Sequence, residues 1–413
     1  MKALIVDPAI HSRGGHHYTA IDRLQAEFAR AGIEAPCLGS LAATPDVARS
    51  LDCTPAFTSP VYGRSYAHPD EFRGRVDRTS RELGRALKRL GTWPDILILP
   101  CCDPVLAASV ARVLRRHRLK RPPQVLMWLL YGPHHEVAPD HPAAKPFHDE
   151  ARRAFTALLA AVGDARQLSA YSETDAMAAF YRRLLPFDVG VAPGAGLALP
   201  RATEDSQGDG VARPRLTVAG FANRSKGYRL LPGAIPRLLQ HHPTSRFTVH
   251  GVVAGSDAED DAWIFDDLER LGPRVDIRRG VLSDDDYVDL LARTDLLLLP
   301  YDPECYRARG SAMSNEARRM GIPIVAPADC AFAQPAFEEG HGVAMARYSP
   351  DGLAEATVDA LGRLDRLKAQ ASAVAVTTAD PLRGILEATI EAARARPRRG
   401  VAYAFRRLLG AAS

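Results

Sequence analysis

Short, nearly unbroken apolar runs alternate along the chain with longer stretches in which apolar residues return every three or four positions. Residues 2–6 (KALIV), 95–99 (DILIL) and 124–130 (QVLMWLL) belong to the first kind. They predict strands buried on both faces, as in a parallel sheet covered by helices. Residues 19–30 belong to the second kind, with Ile21, Leu24 and Phe28 on one helical face and Gly32 just beyond the end. Residues 76–90 and 105–118 predict two further helices.

Residues 200–214 (PRATEDSQGDGVARP) interrupt this alternation with a polar stretch containing Gly and Pro, which reads as a linker. The alternation then restarts. Strands are predicted over 215–219, 246–253, 275–278, 295–300 and 322–326, with helices over 228–241, 258–271, 284–292 and 314–320. Residues 381–413 read as helical and basic. The predicted fold class is therefore α/β, with two doubly wound, Rossmann-like domains facing each other across a cleft. Residues 1–199 form the first domain, 200–214 the linker and 215–385 the second domain. Residues 386–413 form a basic helix that packs back on the first. Ligands of such sheets sit at the carboxyl ends of the strands.

Composition narrows the function classes. A chain of 413 residues is too long for one ordinary core. A formal net charge of +4 is mild, so nucleic acid is not an expected partner. No apolar run approaches the roughly 20 residues that cross a bilayer. The opening MKALIVDPAI is too short in apolar residues for a secretion signal and reads as a strand. Six cysteines without zinc or redox spacing suggest a cytoplasmic chain with reduced thiols.

Two segments carry most of the candidate chemistry. Gly220-Phe-Ala-Asn-Arg224-Ser-Lys226-Gly227 lies between a predicted strand and helix. It can aim Arg224, Lys226 and a helix N-terminus at a diphosphate, and reads equally as a solvated basic turn. Tyr301–Ala317 (YDPECYRARGSAMSNEA) also follows a strand. Gly310, Ser311 and Ala312 open a helix whose amides suit phosphate oxygens. Glu316, one to two turns in, can accept hydrogen bonds from a ribose diol or merely stabilise the helix start.

The order of these motifs resembles the donor-binding half of GT-B retaining glycosyltransferases, the glycogen-synthase-like enzymes of glycosyl transferases group 1. The resemblance rests on Gly-x5-Lys-Gly after one strand, then Gly-Ser…Asn-Glu-Ala-x3-Gly-Ile-Pro-Ile-Val-Ala-Pro after another. Gly14-Gly15 and the Ser169-Ala-Tyr-Ser172-Glu173 strand end are also similar to the family's. The resemblance implies a metal-independent, hexosyltransferase-like enzyme of polysaccharide biosynthesis. It would use a nucleotide-sugar as donor substrate, need no cofactor, and retain the anomeric configuration. It implies that Lys226 meets the donor diphosphate, Glu316 the ribose, and Gly310, Ser311 and Ala312 the phosphate and sugar. It also implies that Gly14 and Gly15 approach the donor and that His134, after the third predicted strand, points at the sugar. A glycan or lipid-linked acceptor follows from the family's habits.

Two positions depart from the pattern. Ala308 stands eight residues before Glu316, where the family's Glu-x7-Glu signature has its first acid. Phe221 stands where the family has an arginine, and Arg224 is the expected substitute. These departures keep two other readings open: a sugar-nucleotide epimerase or hydrolase on the same fold, and a non-catalytic nucleotide-sugar or glycan binder.

Other features read as structural. His134, His135, Glu136, His141 and His148 contain no His-Glu-x-x-His and are not expected to bind metal. Ser283-Asp284-Asp285-Asp286 reads as an N-cap followed by acids in a first helical turn. The basic tail over 394–409 carries interleaved Val401, Phe405, Leu408 and Leu409. It suits a closing helix and also peripheral contact with an anionic membrane.

Overall fold

The computed structural model describes residues 1–13, 16–58, 69–134, 136–193, 213–252, 258–378 and 380–395. The chain divides into two compact units. The first unit takes the chain from its start through β7 and resumes at Asp380, whereas the sequence reading keeps residues through 385 with the second unit. Most of the expected linker, 200–212, and the tail over 396–413 lie outside the described residues.

The first unit contains β1 (Ala3–Val6), β2 (Cys37–Ser40), β3 (Cys53–Phe57), β4 (Ile96–Leu99), β5 (Gln124–Trp128), β6 (Leu168–Ser172) and β7 (Gly190–Val191). They form one sheet in the order β3-β2-β1-β4-β5-β6-β7, every pair parallel. One core joins Ile5, Ile98 and Leu126 of the sheet to Ile21, Leu24 and Phe28 of helix His16–Arg30. Leu382, Ile385, Leu386 and Ile390 of helix Pro381–Ala395 belong to the same core. Arg23 pairs with Asp380 just before that helix, and Arg383 reaches Glu27 at 3.4 Å.

The second unit contains β8 (Arg215–Val218), β9 (Arg246–Gly251), β10 (Val275–Arg279), β11 (Leu296–Leu298), β12 (Ile324–Pro327) and β13 (Gly342–Met345), in the order β10-β9-β8-β11-β12-β13. All five pairings are parallel. The run Leu296–Leu299 shows why such strands are apolar throughout. Leu296 and Leu298 enter the core on one face, while Leu297 and Leu299 enter the core on the other. Full burial of each leucine contributes about 1.5–3 kcal/mol.

The periodicity locates most of the central strands but passes over β2, β3, β7 and β13, and β6 enters only through the resemblance at Ser169–Glu173. β3 contains Pro55, which a strand tolerates at the edge of a sheet, where β3 lies. β2 and β13 are four-residue strands containing Gly39 and Gly342, so their apolar signal is weak. In each sheet the order reverses next to the first strand: between β1 and β4, and between β8 and β11. Loops leaving such neighbouring strands part to opposite sides and open a crevice at their carboxyl ends.

Candidate functional site

The crevice of the second unit is bounded by the loops after β8 and β11, where both principal motifs lie. The β8 loop folds into a tight turn over Arg224–Lys226. Asn223 caps it, its side-chain oxygen accepting from the Lys226 amide at 3.1 Å and the Ser225 hydroxyl at 2.9 Å. Gly227 follows with φ 72°. A Cβ there would lie 1.7 Å from the Pro300 carbonyl oxygen, so only glycine allows this loop to rest on the end of the β11 segment. The Asp302 amide, donating to the Ser225 carbonyl at 2.9 Å, fastens the two loops together.

This stitching seats Lys226 on an aromatic floor. Its ammonium lies 3.7 Å from the centre of the Tyr301 ring and 4.9 Å from that of Tyr306, within range of cation–π attraction. Tyr301 packs against Tyr306 at 4.7 Å and Phe332 at 5.0 Å between ring centres. Burial opposes the lysine's charge, and the two tyrosines outweigh it, so its pKa lies above the ordinary lysine value. Lys226 is half-buried, whereas the sequence suggests an exposed turn. Arg224, on the same turn, is exposed.

Ser311 begins the opposite wall. It caps helix Ala312–Met320, its hydroxyl accepting from the Ser314 amide at 3.3 Å. Gly310 and Ala312 flank it, half-buried, at the helix N-terminus. Glu316 lies farther along the helix, 5% exposed, and accepts a hydrogen bond from the Tyr287 hydroxyl. Tyr287 comes from helix Asp284–Ala292, a partner the local motif does not reveal. Burial, with the Glu316 carboxylate beside it, pushes the Tyr287 pKa well up. Ala308, at the position of the missing acid, is buried. Arg309, passed over in the sequence, is 6% exposed, and its guanidinium carbon lies 5.4 Å from the centre of the Tyr306 ring.

His250 secures the neighbouring loop. Its Nε2 donates to the Gly280 carbonyl at 2.8 Å, and burial lowers its pKa. The Ser283 run forms a helix start: the Ser283 hydroxyl accepts from the Asp286 amide at 3.1 Å and donates to its carboxylate at 2.6 Å.

In the first unit, Gly14 and Gly15 lie outside the described residues. The Asp7 carboxylate at the end of β1 is 2.7 Å from His17 Nδ1 and accepts from the Ala9 amide at 3.0 Å. Asp103 leaves the neighbouring strand β4 and caps helix Pro104–His117 through the Leu106 amide at 2.7 Å. Burial raises its pKa to about 7. His134 packs edge-on against Phe147, with ring centres 5.0 Å apart, and its Nδ1 accepts from the Glu136 amide at 3.2 Å. That bond leaves the ring proton on Nε2 in the neutral form. His141 caps the turn Pro142–Phe147, and His148 donates to the Pro139 carbonyl at 3.0 Å. His135 lies outside the described residues, and among those described no three His, Cys, Asp or Glu side chains converge as metal ligands.

Residues 213–363 match the sequence profile of the family described as Glycosyl transferases group 1. No curated protein matches the chain by sequence. Among solved structures, sucrose-phosphate synthase from Thermosynechococcus elongatus is 14% identical, with a TM-score of 0.65 and 100% of both chains covered. The catalytic domain of starch synthase IV from Arabidopsis thaliana, bound to ADP and acarbose, is 13% identical with a TM-score of 0.62; the match covers 95% of this chain and 99% of that one. UDP-GlcNAc 2-epimerase from Neisseria meningitidis, bound to UDP-GlcNAc, is 13% identical with a TM-score of 0.58; the match covers 94% and 97%. At these identities the likeness is one of fold: two Rossmann-like α/β units of the GT-B class.

Proposed function

We propose that this chain is a glycosyltransferase that takes a sugar from a nucleotide-sugar donor and passes it to a glycan or lipid-linked acceptor. The observation that carries this reading is the pairing of the Lys226 ammonium with the Ser311-capped helix start at the strand-order reversal of the second sheet. The group 1 profile match over the same residues supports it. So do two fold neighbours, one solved with bound ADP and one with bound UDP-GlcNAc.

Breaking the sugar–phosphate bond leaves negative charge on the departing nucleoside diphosphate. Fixed cations and oriented amides lower that barrier because they need no reorganisation as the charge develops. In this proposal Lys226 and Arg224 supply the cations, and Gly310, Ser311 and Ala312 the helix-start amides. Glu316, oriented by Tyr287, holds the ribose. No metal is required by this scheme, and the family resemblance favours retention of configuration. Among the described residues no helix is long and apolar enough to cross a membrane. A cytoplasmic location with peripheral contact through the basic tail suits a lipid-linked acceptor.

A sugar-nucleotide epimerase or hydrolase is the second reading, favoured by the epimerase fold neighbour. Incubation with UDP-, GDP-, ADP- and dTDP-sugars, with and without glycan acceptors, separates the two. Nucleoside diphosphate release that depends on acceptor supports transfer. Release or sugar isomerisation without acceptor contradicts it.

A further inference from the structure

We infer that the first unit carries a basic docking surface for anionic lipid headgroups, at the amino ends of β4 and β5 and so apart from the crevice and from the basic tail. This goes beyond the donor-binding reading and does not rest on it.

The surface is assembled from two helix ends. Helices that connect parallel strands run back against them. Helix Pro69–Leu90, which leads into β4, and helix Pro104–His117, which leads into β5, therefore both finish at the amino ends of the strands. Trp93 and His117 join the two finishes, with ring centres 4.9 Å apart. Lys2, just before β1, reaches the Thr92 hydroxyl at 3.4 Å.

Residues 83–94 and 104–121 together hold nine Lys or Arg and no Asp or Glu. Leu83, Ala86 and Leu87 turn into the fold, whereas Arg85, Lys88 and Arg89 are exposed. Arg115, Arg116, Arg118 and Lys120 are exposed at the other helix end. Arg118 ends its helix in the left-handed conformation, with φ 46°, a position that glycine usually takes, so a cation stands there at a conformational cost. The nearest acids are engaged elsewhere. Asp77 pairs with Arg112, and Asp164 with Arg166 at 2.7 Å, while Asp95 accepts from the Lys2 amide at 3.0 Å. Glu34 and Asp52 precede β2 and β3, on the far side of β1.

Apolar groups stand among these cations. Leu90 is 39% exposed, and Trp93 and Leu119 are half-buried. This combination matches an anionic bilayer surface, where the cations meet lipid phosphates while tryptophan and leucine enter the headgroup layer. Nucleic acid offers phosphates but no such layer for the leucines.

The test is sedimentation of the full-length chain with vesicles of phosphatidylcholine, alone or mixed with phosphatidylglycerol, with thermal melts alongside. It compares wild type with three double variants: Lys88→Glu/Arg89→Glu, Arg115→Glu/Arg116→Glu and, in the tail, Arg406→Glu/Arg407→Glu. Wild type should bind only the vesicles that contain phosphatidylglycerol and should let go as salt rises. Each Lys or Arg near an anionic surface contributes about fivefold, so the two helix-end variants should bind at least about tenfold more weakly. Both should melt like wild type, and the tail variant should lose less than either. Full binding by both helix-end variants, or a loss confined to the tail variant, overturns the inference. So does a wild type that ignores phosphatidylglycerol, or one that binds duplex DNA more tightly than anionic vesicles at the same salt. Should a charge reversal fail to fold, Arg115→Gln/Arg116→Gln takes its place, and full binding by that variant overturns the inference.

Discussion

The Lys226 ammonium rests 3.7 Å above the centre of the Tyr301 ring, although the two residues belong to loops after different strands. The charge is placed by tertiary contact, which gives a cationic side chain a fixed position with no carboxylate paired to it among the described residues. Tyr301→Leu removes both the platform and a buried ring. The loss of packing costs about 2–5 kcal/mol and the loss of cation–π attraction about 0.5–2 kcal/mol. We expect this variant to melt several degrees lower and to bind nucleotide several-fold more weakly. Melting and affinity both at wild-type values would show that the ring does not hold the lysine.

Gly227 permits that contact. Gly227→Ala meets the Pro300 carbonyl and also strains φ at 72°. Gly272→Ala, with φ 79° and nothing within 4 Å of the added carbon, carries the strain alone. Backbone strain of this kind costs about 1–2 kcal/mol. Thermal melts should therefore place Gly227→Ala clearly below Gly272→Ala, and only the former should lose nucleotide affinity. Equal effects would mean that the loops can part without consequence.

Asp103 predicts a pH signature. Its carboxyl is raised from the ordinary 3.8 to about 7 by burial, so the fold favours the protonated form. An acid raised on folding stabilises below its unfolded pKa, and that stability is lost as pH rises through the folded pKa. Asparagine caps a helix about as well as aspartate. Asp103→Asn should thus melt near wild type at pH 4 and above it at pH 8, with the gap opening between about 4 and 7. A gap independent of pH would contradict the raised carboxyl.

Glu316 separates ribose from phosphate. Glu316→Gln keeps the shape and loses the charge, which for hydrogen bonds to a charged group is worth about 1.5–3 kcal/mol. We expect roughly tenfold weaker binding of the preferred nucleoside diphosphate, and little change for pyrophosphate. Tyr287→Phe should weaken nucleotide binding less, because it removes one hydrogen bond to the carboxylate without discharging it. Equal losses for nucleotide and pyrophosphate would mean that Glu316 only shapes its helix.

The central strands were legible because burial on both faces leaves no polar position in runs such as Leu296–Leu299. The Lys226-Gly227 and Gly310-Ser311 motifs were legible because backbone geometry at a turn and a helix start restricts residue choice locally. β3 was hidden by Pro55. The partners that define the site's chemistry were hidden for another reason. Tyr301 beneath Lys226, Tyr287 on Glu316 and Arg309 over Tyr306 are contacts of the folded loops, and no periodicity encodes which side chain a loop turns inward. The loop holding His134 shows the same limit, since its bond to the Glu136 amide follows from the turn it adopts.

The most direct measurement is calorimetric titration of the wild type and Lys226→Ala with UDP, GDP, ADP and dTDP. At least one nucleoside diphosphate should bind the wild type, and Lys226→Ala should bind it at least tenfold more weakly while melting within a few degrees of wild type. No binding by the wild type, or equal affinity in the two proteins, would contradict a donor site built on Lys226.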